Sequence, residues 1–238
     1  MKTSNKLMIG LTITSIVGKV IEKMMVKDNV RTNTQTSFNK KVDTPMVKPS
    51  TYIHHHASVI GSVNIMENVF VGPFSSIRGD EGLRIHIGSR SNIQDGVVIH
   101  GIKNYDQGSI VSENNVFEKD NPYSVYVGEN VSIAHQSQIH GPSKVSNNVF
   151  VGMQALVFKA IIEENVILEP GCKVIGVTIP KNRYVSAGRV ITKQEEADQL
   201  PEITPEYNYF GFNPKVVAVN LELVNGYKKE EDNKRNQI

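Results

Sequence analysis

A single cysteine, Cys172, and no tryptophan occur in the 238 residues. One thiol closes no disulfide within the chain and builds no thiolate metal cluster, so Cys172 reads as a small buried filler. Charge of one sign is not concentrated anywhere that would suit a polyanion. Lys and Arg number 26 against 24 Asp and Glu, interspersed to a net +2, which argues against a nucleic-acid surface. Aromatics make up only 7%, whereas Val and Ile are abundant and evenly spread, a bias toward strands. With 39% hydrophobic and 21% charged residues, the composition suits a globular chain with a real core in one domain or two.

Long hydrophobic runs are also lacking. MKTSNK followed by LMIGLTITSIVG pairs a basic start with an apolar run near the length of a signal-peptide core, too short to span a bilayer, and no A-x-A cleavage site follows. The pattern points to export or surface anchoring ahead of a cytoplasmic extension, and membrane contact is expected only through such an anchor. Residues 26–45 are polar and without period, so residues 1–45 are expected to be a signal-like or anchor segment plus linker, outside the fold.

What is present is a period of six. Ile53, Val59, Ile65, Val71 and Ile77 are followed by Ile87, Ile93 and Ile99, then by Val127, Ile133, Ile139, Val145, Val151 and Val157. After one-residue slips the series continues at Ile162, Leu168 and Val174, then at Ile179, Val185 and Ile191. Four residues after most of these stands a small or β-branched side chain, such as Ala57, Val63, Ser75, Val131, Ser137 or Ala155. Six matches neither a helix nor a long amphipathic strand, but it fits short strands joined by tight corners around a three-sided prism. Asn130 and Asn148 stand eighteen apart, one coil, with Asn68 and Asn165 equivalent; asparagine tolerates left-handed backbone at a corner. A mainly β fold is therefore expected: a parallel β-helix over 46–195, then a connection and α-helix over 196–228 that packs along the prism through Val216, Val219, Leu223 and Tyr227, and a frayed charged tail over 229–238. GDEGLRIH and the stretch from Gly101 to about Tyr126 interrupt the lattice as extruded loops.

The register places chemistry. His100 and His140 each follow a lattice residue by one on the same side of the prism, one coil or ~4.8 Å apart, and so can share a metal. His135 follows Ile133 by two, near a corner, and its imidazole would have to serve a neighbouring subunit. That predicts metal at the interfaces of a cyclic oligomer, most simply a homotrimer. Arg78 lies one coil from His100 and reads as an ion-pair partner of Asp80 or Asp95. Glu81, on the loop extruded toward the metal face, has an evident proton-handling role. His54, His55 and His56 read as exposed residues alternating between faces.

The runs ASVIGSV, SSIRGDEG, RSNIQDGVVIH, VSIAHQSQIHGP, VGMQALVFK, GVTIP and VVAVNLELVNGYK, in order over about 46–228, closely resemble the gamma-class carbonic anhydrases. The resemblance implies a left-handed winding and reversible hydration of carbon dioxide to bicarbonate, with Zn2+, or Fe2+ or Co2+, held by His100 and His140 of one subunit and His135 of the next. It implies that Gln94 orients the attacking hydroxide with Asn92 in support, that Glu81 takes a proton from the bound water, and that Asn220 lines the carbon dioxide pocket. Arg78, Asp80 and Asp95 match the interface ion network. Two positions depart. Lys103 replaces a glutamate that relays protons, and an ammonium with reference pKa ~10.4 is a poor acceptor at pH 7. Ala218 replaces a pocket tyrosine. Two other readings stand beside this one: a non-catalytic relative serving assembly, and a hexapeptide-repeat acyltransferase, which needs one histidine where three share the metal register.

Overall fold

The computed structural model describes residues 29–106 and 108–236. The aliphatic lattice lines the inside of a three-sided parallel β-helix. Strands of two to four residues alternate with tight corners and pair in parallel one coil apart, giving sheets of eight, seven and seven strands. Every lattice residue from Ile53 to Ile191 is buried in one continuous core. Ile77, Ile99, Ile139 and Val157 stack on what we call the histidine face. Ile87, Val127 and Val145 stack on the loop face, and Val71, Ile93, Ile133 and Val151 on the helix face.

Local backbone chemistry explains the corners. Asn68, Asn130, Asn148, Asn165 and Asn182 all adopt φ of 55° to 59° at the turn from loop face to helix face, the left-handed region that costs asparagine least among ordinary residues. Coil length varies at a different corner, between the histidine and loop faces. There the Glu81 loop and the 101–124 insertion leave the prism, the latter as two small hairpins, and both one-residue deletions fall there as well.

Residues 29–45 are not a free linker. Val30–Arg31 pairs with Val59 and Ile60 on the edge of the histidine face. Asn33 and Asn39 are buried behind it: Asn33 donates to the Lys41 carbonyl and accepts from the Asp43 amide, and Asn39 donates to the Asp80 carbonyl. The segment thus covers unpaired main chain at one end of the solenoid, as terminal repeats must. Residues 1–28, which include the signal-like run, lie outside the described residues. At the other end, the short helix Gln194–Asp198 buries Ala197 against the core, and the Gln194 amide bonds both backbone groups of Thr178. No helix among the described residues is long and apolar enough to cross a membrane.

The C-terminal helix, Phe212–Arg235, runs back along the helix face. It turns in Asn213, Val217, Asn220 and Val224; of the expected stripe, Val216 packs on the Phe150 cluster and Tyr227 on Tyr52, whereas Val219 and Leu223 stay exposed. The reason is polar anchoring: Asn213 donates to the Asn130 carbonyl of a corner, which fixes the helix's rotation. Aromatic contacts hold its ends, Phe212 against Phe150 and Tyr227 against Tyr52. Beyond Lys228 the helix continues to Arg235, where a frayed tail was expected, with Lys228–Glu231 and Lys234–Glu230 pairs at helical spacing.

Candidate functional site

The histidine face brings His100 and His140 side by side. Their strands pair with His100 opposite His140 and Arg78 opposite His100, and the two rings meet edge to face with centroids 5.5 Å apart. His140 Nδ1 lies 3.1 Å from the Gly141 carbonyl. A carbonyl only accepts, so Nδ1 carries the proton and Nε2 is left as the free lone pair. The His100 side chain is 12% exposed. Its pKa is lowered, chiefly by burial and then by Arg78, against opposing pulls from Glu81 and Asp80, which favours the neutral ring a metal requires.

Carboxylates flank His100. Asp80 Oδ1 is 3.2 Å and Glu81 Oε1 3.5 Å from His100 Nε2, and Arg78 donates to Asp80 Oδ2 at 2.8 Å. Arg78 therefore pairs with Asp80 and not, within one chain, with Asp95. Asp95 follows Ile93 by two and so sits on the corner, where its carboxylate is 3.9 Å from His135 Nδ1.

Asn104, which the sequence reading missed, holds Glu81 in place. Fully buried, it donates its own amide to the Glu81 carbonyl, accepts the Leu83 amide on Oδ1, and donates to the Asn114 carbonyl. The next residue, Gly82, has φ of 133° and packs so closely on Tyr105 that a Cβ there would lie 2.7 Å from its ring. Asn104 stands in an aperiodic insertion, where no register marks a residue as inward. Lys103 beside it is ion-paired with Asp106 at 2.7 Å.

The remaining candidates gather elsewhere. On the helix face Gln94 donates to Asn92 Oδ1, and the buried Asn92 donates to Ser132 Oγ, both at 2.9 Å. The Ser75 hydroxyl holds the Gln94 carbonyl. Commitment of Nε2 leaves Gln94 Oε1 as the end that accepts. Gln94, Asp95, His135 and Asn220 line one cleft of about 680 Å³ beneath the C-terminal helix, whose other wall is apolar, with Phe150, Met153, Val219 and Leu223. Asn220 bonds back to the Val216 carbonyl. Ala218 is exposed and outside this cleft. His135 is 54% exposed at the corner, away from the His100 and His140 pair. Among the described residues no single-chain group of three His, Cys, Asp or Glu is arranged to hold a metal ion.

His54, His55 and His56 do not alternate between faces. They occupy a corner, not a strand, so the chain turns there and the rings cluster, with centroids 4.3, 4.0 and 5.4 Å apart.

The chain is 50% identical over 202 residues to the carbonic anhydrase of Methanosarcina thermophila, covering 84% of this chain and 82% of that one. It is 37% identical over 199 residues to the carboxysome assembly protein CcmM of a Nostoc species, covering 84% of this chain but 34% of that longer one. Among solved structures, a candidate acetyltransferase from Bacillus cereus superposes with a TM-score of 0.63 at 20% identity, over 85% of this chain and 99% of that one, a likeness of fold alone. No family model matches.

Proposed function

Since this chain belongs to the gamma-class carbonic anhydrases, a family of left-handed parallel β-helices, we propose that it catalyses the reversible hydration of carbon dioxide at metal centres shared between the subunits of a homotrimer. One observation carries the reading. The side chains such chemistry needs fall into two sets on either side of one corner, and each set is incomplete. The histidine face offers His100, His140 and Glu81 without an orienting amide; the cleft offers Gln94, Asn220 and the single imidazole of His135. Copies arranged about a threefold axis bring the corner of one against the histidine face of the next, and Asp95 then meets the neighbour's Arg78 as part of the ion network with Asp80.

The donor set fits a divalent cation. Three neutral imidazoles suit Zn2+, Fe2+ or Co2+ alike; His140 is held in one tautomer, and burial favours neutral His100. Binding requires His100 Nε2 to give up its contact with Asp80. When bound, the cation supplies the positive charge that lets water act as a nucleophile near neutral pH. The chain's own residues do the rest. Gln94 Oε1, locked by Asn92, accepts a hydrogen bond from the attacking water and aims its lone pair. Glu81 accepts its proton. The apolar wall of Val219, Leu223 and Met153 beside Asn220 takes up carbon dioxide in preference to water.

Stopped-flow hydration of carbon dioxide by anaerobically metal-loaded protein, with metal content measured on the same sample, tests this. Hydration that disappears in His140→Ala together with the metal is expected. A fully metal-loaded trimer without hydration would favour the assembly role suggested by the carboxysome relative, and a trimer that binds no metal would sink the reading.

A further inference from the structure

The histidine run has no part in the metal site, yet it borders the same cleft: His54 lines it together with Gln94, His135 and Asn220. We propose that His54, His55 and His56 form a proton relay that carries the proton released by hydration from the cleft to solvent. The proposal rests on the function argued above and adds a route that the site itself lacks, since Lys103 is an ion-paired ammonium that accepts no proton.

Register sets the distances. His54, Gly72 and Gln94 each follow a helix-face lattice residue by one, and the backbone ladder runs unbroken from the His54 amide to the Val71 carbonyl, from Gly72 to Ile93 and from Gln94 to Ile133. His54 and Gln94 are thus two coils, ~10 Å, apart. Gly72 puts no side chain between them. Asp95 Oδ1 leans into that gap, 2.6 Å from where a Cβ on Gly72 would be, so the floor between the imidazole and the orienting amide is lined by a carboxylate able to order water. From His54 the rings of His55 and His56 lead outward to exposed surface, where the His56 ring stacks on Phe74 at 5.4 Å and 5°. Phe74 is 72% exposed with φ of 60°, a conformation bulky residues avoid, and it braces the outermost imidazole.

Imidazole titrates nearest neutrality and so takes and returns protons with little driving force lost. Tyr52 meets the His54 ring edge to face, and the titratable or charged groups that share the cleft lining with His54 are Asp95 and His135 on the corner and Lys215 and Tyr227 on the C-terminal helix. Burial and the two neighbouring imidazoles lower the His54 pKa, while Asp95 opposes them. In the step, Glu81 passes the proton it took from the attacking water to a water chain over Gly72; His54 takes it up, its Nδ1 giving up the His56 backbone amide that it otherwise accepts at 3.1 Å, and one ring proton leaves through His55 and His56 to buffer.

The test is oxygen-18 exchange on the metal-loaded trimer carrying His54→Gln, His55→Gln and His56→Gln. This measurement separates the interconversion of carbon dioxide and bicarbonate from the proton-dependent release of labelled water. Release is expected to fall about tenfold relative to interconversion, and added imidazole should restore it. An unchanged ratio, or an equal fall in both rates, overturns the relay. Absence of interconversion in the parent chain instead overturns the proposed function. A metal-free readout stands beside it: in proton NMR titrations, His55→Gln with His56→Gln should move the His54 midpoint upward, and an unmoved midpoint, which would mean that the rings do not sense one another's charge, overturns the relay.

Discussion

Three histidines share one electrostatic signature. Burial is the largest cause of a lowered pKa at His54, at His86, where Arg84 adds to it, and at His100, where Arg78 does. A folded value below the unfolded ~6.5 means that the unfolded chain binds more protons in between, so this contribution to stability is present at neutral pH and lost as pH falls through ~6.5 toward the folded values. The melting temperature of metal-free protein should accordingly drop between about pH 7 and 5. His86, stacked on Tyr126 at 5.0 Å, offers a check: His86→Phe keeps a ring there and should flatten the acid limb in calorimetry. At Lys103, substitution by glutamate sets a carboxylate beside Asp106, and like charge raises its pKa toward that of a useful acceptor. Hydration in weak buffer should rise in Lys103→Glu, most strongly in the chain lacking the three corner histidines. A flat response in both backgrounds would mean that position 103 takes no part in proton export.

At the scale of elements, the lattice was legible because a buried aliphatic every sixth residue has one geometric solution, and the same register paired His100 with His140. The segment 29–45 was not legible. A two-residue edge strand is held by main-chain bonds and by Asn33 and Asn39, which leave no hydrophobic period behind. The helix's inward face was misread for a related reason: Asn213 and Asn220 take positions that a hydrophobic pattern assigns to Val219 and Leu223, and those apolar residues line the cleft instead. Residue identity did not betray Asn104 either, since only the fold shows that it ties the Glu81 loop to the insertion. This joint is testable through Gly82. At φ of 133° against the Tyr105 ring, Gly82→Ala strains the backbone and pushes the loop away. A stability loss of about 1–3 kcal/mol is expected in denaturant titration, with a larger proportional loss of hydration than of metal content; loss of metal alone would show that Glu81 is positioned by something else.

For the whole molecule, the separation of His135 from the His100 and His140 pair makes assembly and activity one property. A His135→Ala chain and a His100→Ala chain are each expected to be inactive alone, yet every mixed trimer contains one interface at which both needed faces are intact. Co-refolded mixtures should regain hydration in proportion to mixed species resolved by native mass spectrometry, and inactive mixed trimers would refute the shared site. The insertion between Gly101 and Ser124 has a further consequence. His100 and His140 are forty residues apart in the chain but adjacent in space, because the excursion leaves and rejoins the prism at one corner without shifting the coils on either side. Distance along the gene is thereby decoupled from distance at the centre. That corner is a docking port for foreign sequence, where a peptide tag or a small reporter domain could be grafted in place of the outer hairpin while the paired imidazoles, two rungs of the same ladder, keep their spacing.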